Sequence, residues 1–211
     1  MDRVEIKRRA KEFAFNNKWN IWKAILLYMA LVFGVSFVFG LITGILRLPE
    51  AVNGLLEIVV TLGCMPMVVG LASYCIKVVN GKKVDAFEEL ISRYKDGSYM
   101  NIILVMFLAG LFIGLLSLLL VIPGIICAIA YAMTAFIIAE QKPDEIGSKH
   151  AYKISKEMMN GHKWEYFVFQ LSFILWILGT EFTFGILGIW TVPYMTTANV
   201  MWYEELKKIS K

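Results

Sequence analysis

In a chain of 211 residues, two histidines, three cysteines and a scatter of carboxylates are the side chains that could carry catalysis or hold a metal. His150 and His162 share one polar segment and form no His-x-x-x-His pair. The plain reading makes them exposed loop residues; pH sensing or catalysis is the sharper one. Cys64, Cys75 and Cys127 all lie in apolar runs, without Cys-x-x-Cys or Cys/His spacing, and read as buried, inert thiols. There is no HExxH, no GxSxG and no glycine-rich phosphate loop. Metalloprotease or serine-protease chemistry has no residues to carry it. The expectation is a non-enzyme without catalytic residues, metal or cofactor.

An ionisable residue deep in an apolar run would be a functional candidate by default, because burying charge in lipid is costly. Glu57, Lys77, Glu140 and Glu181 all fall near the ends of such runs, which counts against an ion-coupled pump. The polar residues inside the runs are uncharged: Ser36, Thr61, Asn101, Ser117, Thr134, Gln170, Ser172, Thr196, Thr197 and Asn199. Hydrogen bonding between helices accounts for them plainly. A polar groove for a lipid headgroup or amphiphile is the sharper alternative. It would draw on Thr134, Gln170, Ser172, Thr196, Thr197 and Asn199, with Tyr131 and Tyr194 bracketing it or serving as core aromatics. Pro66, Pro123, Gly124 and Pro193 are the expected kinks or hinges.

The elements that position these residues follow from the 43 residues Gly97 to Ala139, which carry no charge. One helix of that length would run roughly 65 Å, about twice the hydrocarbon thickness. It must be two spans, with the reversal marked by Ile122-Pro123-Gly124-Ile125. The whole chain is 58% hydrophobic, with mean hydropathy +0.64, and its charges gather between apolar runs. Strand alternation suited to a β-barrel is absent from the sequence. The expected fold is all-α: a polytopic membrane helix bundle of six transmembrane helices arranged as three hairpins, with amphipathic cytoplasmic surface helices. The expected spans are 21–46, 54–79, 99–121, 125–140, 164–180 and 185–203. A basic helix over 2–18 presents Ile6, Ala10 and Phe13 on one face, as an interfacial helix or a topogenic charge cluster. Val84, Phe87, Leu90, Ile91 and Tyr94 mark a surface helix opened by Asp85 and Glu88 and stopped by Gly97. Pro143-Asp144 opens another, with Ile146, Ala151, Ile154 and Met158 on its apolar face. Gly40-xxx-Gly44, Ala30-xxx-Gly34 and Gly110-xxx-Gly114 offer close helix approach.

Twenty of the 21 Lys/Arg fall on one side of this layout, Arg47 being the exception. By the positive-inside rule both termini are cytoplasmic. The basic start up to Lys23 leads into a run too long for a signal peptide and reads as an uncleaved anchor. A net charge of +4 with interleaved acids gives no nucleic-acid signal. One cassette (charged helix, polar stop, aromatic, hairpin) recurs three times within a single membrane domain, dividing it into 1–79, 80–140 and 141–211. The stops are Asn16-Asn17-Lys18-Trp19, Asp96-Gly97-Ser98-Tyr99 and Asn160-Gly161-His162-Lys163-Trp164. The repeat is either a pseudo-threefold or the common requirement of any helical hairpin.

From Ile122-Pro123-Gly124-Ile125 onward the residues resemble one family. The matching segments are Tyr131-Ala132-Met133, Ser155-Lys156, Met159-Asn160-Gly161, Lys163-Trp164, Leu171-Ser172-Phe173 with Trp176, and Pro193-Tyr194. They are similar to the bacterial integral-membrane family known as domain of unknown function 975, specifically over 122–203. The chain departs from the family pattern at Glu140-Gln141-Lys142-Pro143 and at Leu175. The resemblance implies a multi-pass protein of the bacterial plasma membrane and supplies no activity.

Two functions remain open from sequence. One is a small carrier or lipid- and amphiphile-handling protein, with membrane lipids as partners. The other is an accessory, scaffold, immunity or sensor subunit that docks a protein partner, or its own copies, through cytoplasmic helices.

Overall fold

The computed structural model describes residues 3–16, 18–47, 49–142, 148–183 and 185–210, and among them it is helical with no strand. The helices are α1 (Arg3–Asn16), α2 (Lys18–Leu46), α3 (Glu50–Val79), α4 (Ala86–Lys95), α5 (Tyr99–Leu119), α6 (Val121–Tyr131), α7 (Thr134–Glu140), α8 (Ser148–Met158), α9 (Lys163–Leu171), α10 (Ile174–Phe182) and α11 (Gly188–Ile209). Four stretches are long and apolar enough to cross a bilayer: Asn20–Leu46, Glu50–Val79, Tyr99–Leu118 and Ile122–Glu140. The protein is a helical membrane protein.

α2 and α3 run antiparallel: Tyr74, toward the end of α3, donates from its hydroxyl to Asn20 O at the start of α2 at 3.0 Å, and the two helices line a shared cleft further along. α5 and α6 form the second pair, but the reversal expected at Pro123-Gly124 is made by one extended residue, Leu120 (φ −154, ψ 125). Pro123 sits in the first turn of α6, where its missing N–H costs nothing. Gly124 answers a different need. A Cβ there would lie 2.1 Å from Ser117 Oγ and 2.8 Å from Ser117 Cα, so its bare backbone is what lets α5 and α6 close.

Two expected spans are interrupted. The expected 125–140 helix starts at Val121 and breaks at Ala132-Met133, where the amide of Ala132 turns back to Ile129 O at 3.2 Å. The expected 164–180 helix is split into α9 and α10, with Phe173 N donating to Gln170 O at 3.0 Å. Both are tightened turns of the 3₁₀ kind. Conversely, α3 and α11 are assigned as continuous helices through Pro66 and Pro193.

Packing is uneven along the bundle. At the charged end Ala10, Ala24, Val69, Val105, Ile138, Ala151, Trp202 and Leu206 are buried in one core. Its centre is aromatic: Trp202 stacks 4.6 Å from Phe169, which meets Phe173 edge-on at 5.1 Å. At the other end Phe33, Leu118 and Phe182 are 71%, 87% and 83% exposed. That surface has the polarity of acyl chains, not water. The small-residue spacings do not serve packing within the chain: a Cβ on Gly34, Gly40, Gly44, Gly110 or Gly114 would meet nothing within 4 Å.

The surface helices dock rather than float. α1 buries Ile6, Ala10 and Ala14 and lies on α11, while Phe13 of its expected face is half-buried. α4 is capped by Asp85, whose Oδ1 accepts from Phe87 N and Glu88 N at 2.9 and 3.0 Å. Its apolar stripe is divided: Leu90 is buried together with Glu89 and Arg93, while Phe87 and Tyr94 are exposed. α8 buries Ala151, Ser155 and Met158. The expected start signal Pro143-Asp144 and Ile146 lie outside the described residues.

Candidate functional site

Three constellations gather polar or apolar groups in ways that chemistry could use. The first is the seam between α3 and α4. Here Gly70 permits near-contact of backbones, since a Cβ would sit 2.7 Å from Leu90 O and 2.8 Å from Glu89 O. That closeness drives Glu89 against α3, where it accepts from Ser73 Oγ at 2.5 Å and from Lys77 Nζ at 2.7 Å. One turn on, Arg93 reaches across to the end of α7 and donates to the carbonyls of Ala139 and, at 3.3 Å, Gln141. These carbonyls are the unsatisfied C-terminal groups of a helix, and a guanidinium caps them well.

Beside it, Glu140 accepts from Tyr203 OH at 2.7 Å and pairs with Lys207 at 2.7 Å, tying α7 to α11. Burial works to lower the Lys207 pKa, but the bonds and charge of Glu140, then Glu204, outweigh it, so the ammonium titrates above its ordinary value. α1 is fastened to the same helix by Arg9 and Glu205 at 3.1 Å. Lys208, then Arg9, holds the Glu205 carboxyl below the usual range against a smaller opposing effect of burial.

The second constellation contains part of the expected groove. Gln170 Nε2 donates to Asn199 Oδ1 at 2.7 Å, and Tyr166 OH donates to the same oxygen at 3.0 Å. Asn199 Nδ2 in turn donates to Met195 O at 2.9 Å, and Thr197 Oγ1 to Pro193 O at 2.8 Å. Gln170 and Asn199 are thus brought together and spend their capacity on each other and on Tyr166. The other expected residues sit elsewhere. Ser172 lies at the α9–α10 break and accepts from Lys7, whose ammonium also stands 4.6 Å from the Phe173 ring centre. Tyr194 packs edge-on to Phe173 at 5.4 Å. Tyr131 packs on Tyr152 of α8 at 5.2 Å, and Thr134 is buried with its hydroxyl unpartnered. Thr196 is half-buried on α11. Tyr166, which anchors the cluster, is not among the expected groove residues; its place in the sequence suits an interfacial aromatic, and the structure buries it.

The third constellation is an apolar groove of about 440 Å³ between α6 and α9. Ile122, Ile125, Ile126 and Ile129 form one wall; Trp164 and Phe167 form the other, with Lys163 at the rim. Sequence reasoning passed over this groove, although the isoleucines repeat at i, i+3, i+4 and i+7, the spacing of one helix face. Of the histidines, His150 is exposed and His162 stands 3.2 Å from Glu165 through Nδ1. The three cysteines are free.

The sequence pattern of one family matches residues 1–123 and 116–210, nearly the whole chain. The chain belongs to the family described as Protein of unknown function (DUF975). Membership reaches back to the first residue, further than the segment from Ile122 to Tyr203 on which the likeness was most specific. No curated protein and no solved structure matches the chain.

Proposed function

We propose that this DUF975 protein is a non-enzymatic, multi-pass protein of the bacterial plasma membrane that binds and handles a lipid or similar amphiphile. The observation that carries the reading is the groove between α6 and α9. Its walls are almost wholly apolar, its size falls in the range of about 300–1,000 Å³ typical of ligand sites, and one ammonium, Lys163, stands at its edge beside an exposed tryptophan. That is the polarity profile of an acyl chain joined to an anionic or zwitterionic headgroup.

The topology we propose has six spans in three hairpins with both termini cytoplasmic. Support for the third hairpin comes from the antiparallel course of α9–α10 along α11, with Gln170 by Asn199, Phe173 by Tyr194, and Thr180 by Thr191. The threefold cassette draws support from Gly97 and Gly161. Each ends a short charged helix at positive φ, 75° and 82°, directly before an apolar one.

The test is native mass spectrometry of the protein in lipid nanodiscs, with identification of retained lipid. Ile126→Trp fills the groove and is expected to abolish stoichiometric retention, as is Phe167→Glu. Retention unchanged in both would overturn the proposal. A second reading, a subunit that docks a partner through α4, is favoured by Phe87, which is 48% exposed on a helix anchored to α3 and α7 through Glu89 and Arg93. A co-purifying protein lost on Phe87→Ser, with no retained lipid, would establish that reading instead.

A further inference from the structure

A second cavity, of about 410 Å³, lies where the charged ends of α3 and α7 meet α4. Its lining brings together four cations from three stretches of chain: Lys77 from α3, Lys82 from the turn after it, Arg93 from α4, and Lys142 after α7. The acids nearby are engaged. Glu89 is held by Ser73 and Lys77, and Glu140, on the cavity wall, by Lys207 and Tyr203. Lys82 and Lys142 have no carboxylate partner among the described residues. Arg93 is the most buried of the four cations. It is only 9% exposed, its two terminal nitrogens are committed to the ends of α7 and to Asp96, and its buried Nε is without a partner. Arg93 thus adds a fixed positive charge behind the cavity wall, beside Lys77, Lys82 and Lys142.

We propose that this cavity is a binding site for a phosphate group. Lys82 and Lys142 donate to its oxygens at the mouth, and Arg93 supplies fixed charge behind them. A carboxylate would use one face of this arrangement, whereas a phosphate offers oxygens to both lysines at once. The cavity lies at the ends of two helices with the length and apolarity to span a bilayer. That is the level of lipid headgroups, so the phosphate comes from an anionic lipid or from a soluble phosphate of the adjoining aqueous phase. The site is independent of the α6–α9 groove and shares no residue with it.

The experiment uses the full chain in two preparations. In phosphatidylcholine nanodiscs, the melting temperature is followed against inorganic phosphate. In nanodiscs doped with phosphatidic acid, retained anionic lipid is counted by native mass spectrometry. The test variant is K82Q/K142Q, which alters two exposed side chains and leaves the buried network intact. The control is K11Q/K23Q, which removes equal charge from exposed sites elsewhere. A soluble ligand is expected to give a saturable melting shift at millimolar phosphate, weakened tenfold or more in the test variant alone. A lipid ligand is expected to give one retained phosphatidic acid per chain, lost in the test variant alone. The proposal is overturned if neither signal appears, or if the control variant loses it equally, which would mark a diffuse surface field.

Discussion

At the scale of single residues, Gly70 and Gly124 hold positions that no other side chain can take for reasons of contact. Gly70 lies against the backbone of α4, with carbonyl oxygens 2.7 and 2.8 Å from where a Cβ would be. Gly70→Ala must push α4 outward and disturb the Glu89 contacts. Overpacking of this kind costs about 1–3 kcal/mol, and a lowered melting temperature in detergent checks it. Gly114→Ala, with open space around it, is the control and is expected to leave melting unchanged. Asn199 supplies the oxygen that both Tyr166 and Gln170 use. Asn199→Leu leaves those buried donors to one another and is expected to destabilise by about 1–3 kcal/mol, measured by the same melt. Had Asn199 been part of an open polar groove instead, the substitution would weaken ligand retention with little effect on melting.

At the scale of elements, α1 is held on α11 by its apolar face and by the Arg9–Glu205 pair. Because the Glu205 carboxyl titrates below its ordinary value of 4.5 in the folded protein, its contribution is complete above that value and is lost as pH falls through the lowered one. Protection of the α1 amides, taken relative to their intrinsic exchange rate at each pH, is therefore expected to fall as pH drops below the ordinary value of 4.5. Arg9→Gln is expected to reduce that dependence. The pair is partly exposed, so the effect is small and salt-sensitive.

The elements also explain what the sequence could and could not reveal. Charge-free runs marked the long helices, because nothing but an apolar environment tolerates them. Asp85, Gly97 and Gly161 marked ends of the short ones, because caps and positive φ are local requirements. The broken turns at Ala132-Met133 and Ser172-Phe173 carried no proline or glycine and left no such mark. The inward face of α4 left no mark for a related reason: Glu89 and Arg93 go inward because partners from α3 and α7 await them, which no periodicity in α4 records. The proposed groove was missed because an isoleucine stripe facing Trp164 and Phe167 looks, along the chain, like any lipid-facing stripe.

At the scale of the whole molecule, the bundle is tight at the charged end and open at the other. The six-span topology is checked by impermeant thiol labelling in a background with Cys64, Cys75 and Cys127 replaced. Cysteines at Arg47, Leu120 and Gly185 are expected to react from outside intact cells, and those at Lys11 and Lys95 only after permeabilisation. An unreactive Gly185→Cys beside a reactive Arg47→Cys would mean that the third hairpin enters the membrane without crossing it.

The docking of α1 on α11 joins the beginning of the chain to its end, and this imposes an order on biogenesis. At about 5–20 residues per second, the ribosome completes α11 on the order of tens of seconds after α1 has emerged. During that interval the face carrying Ile6, Ala10 and Ala14 has no partner within its own chain, and the membrane surface is the apolar phase nearest to it. α11 therefore acts as a latch: its arrival lifts α1 into the bundle, and a nascent chain stopped short of it leaves that face exposed for chaperones and proteases to read.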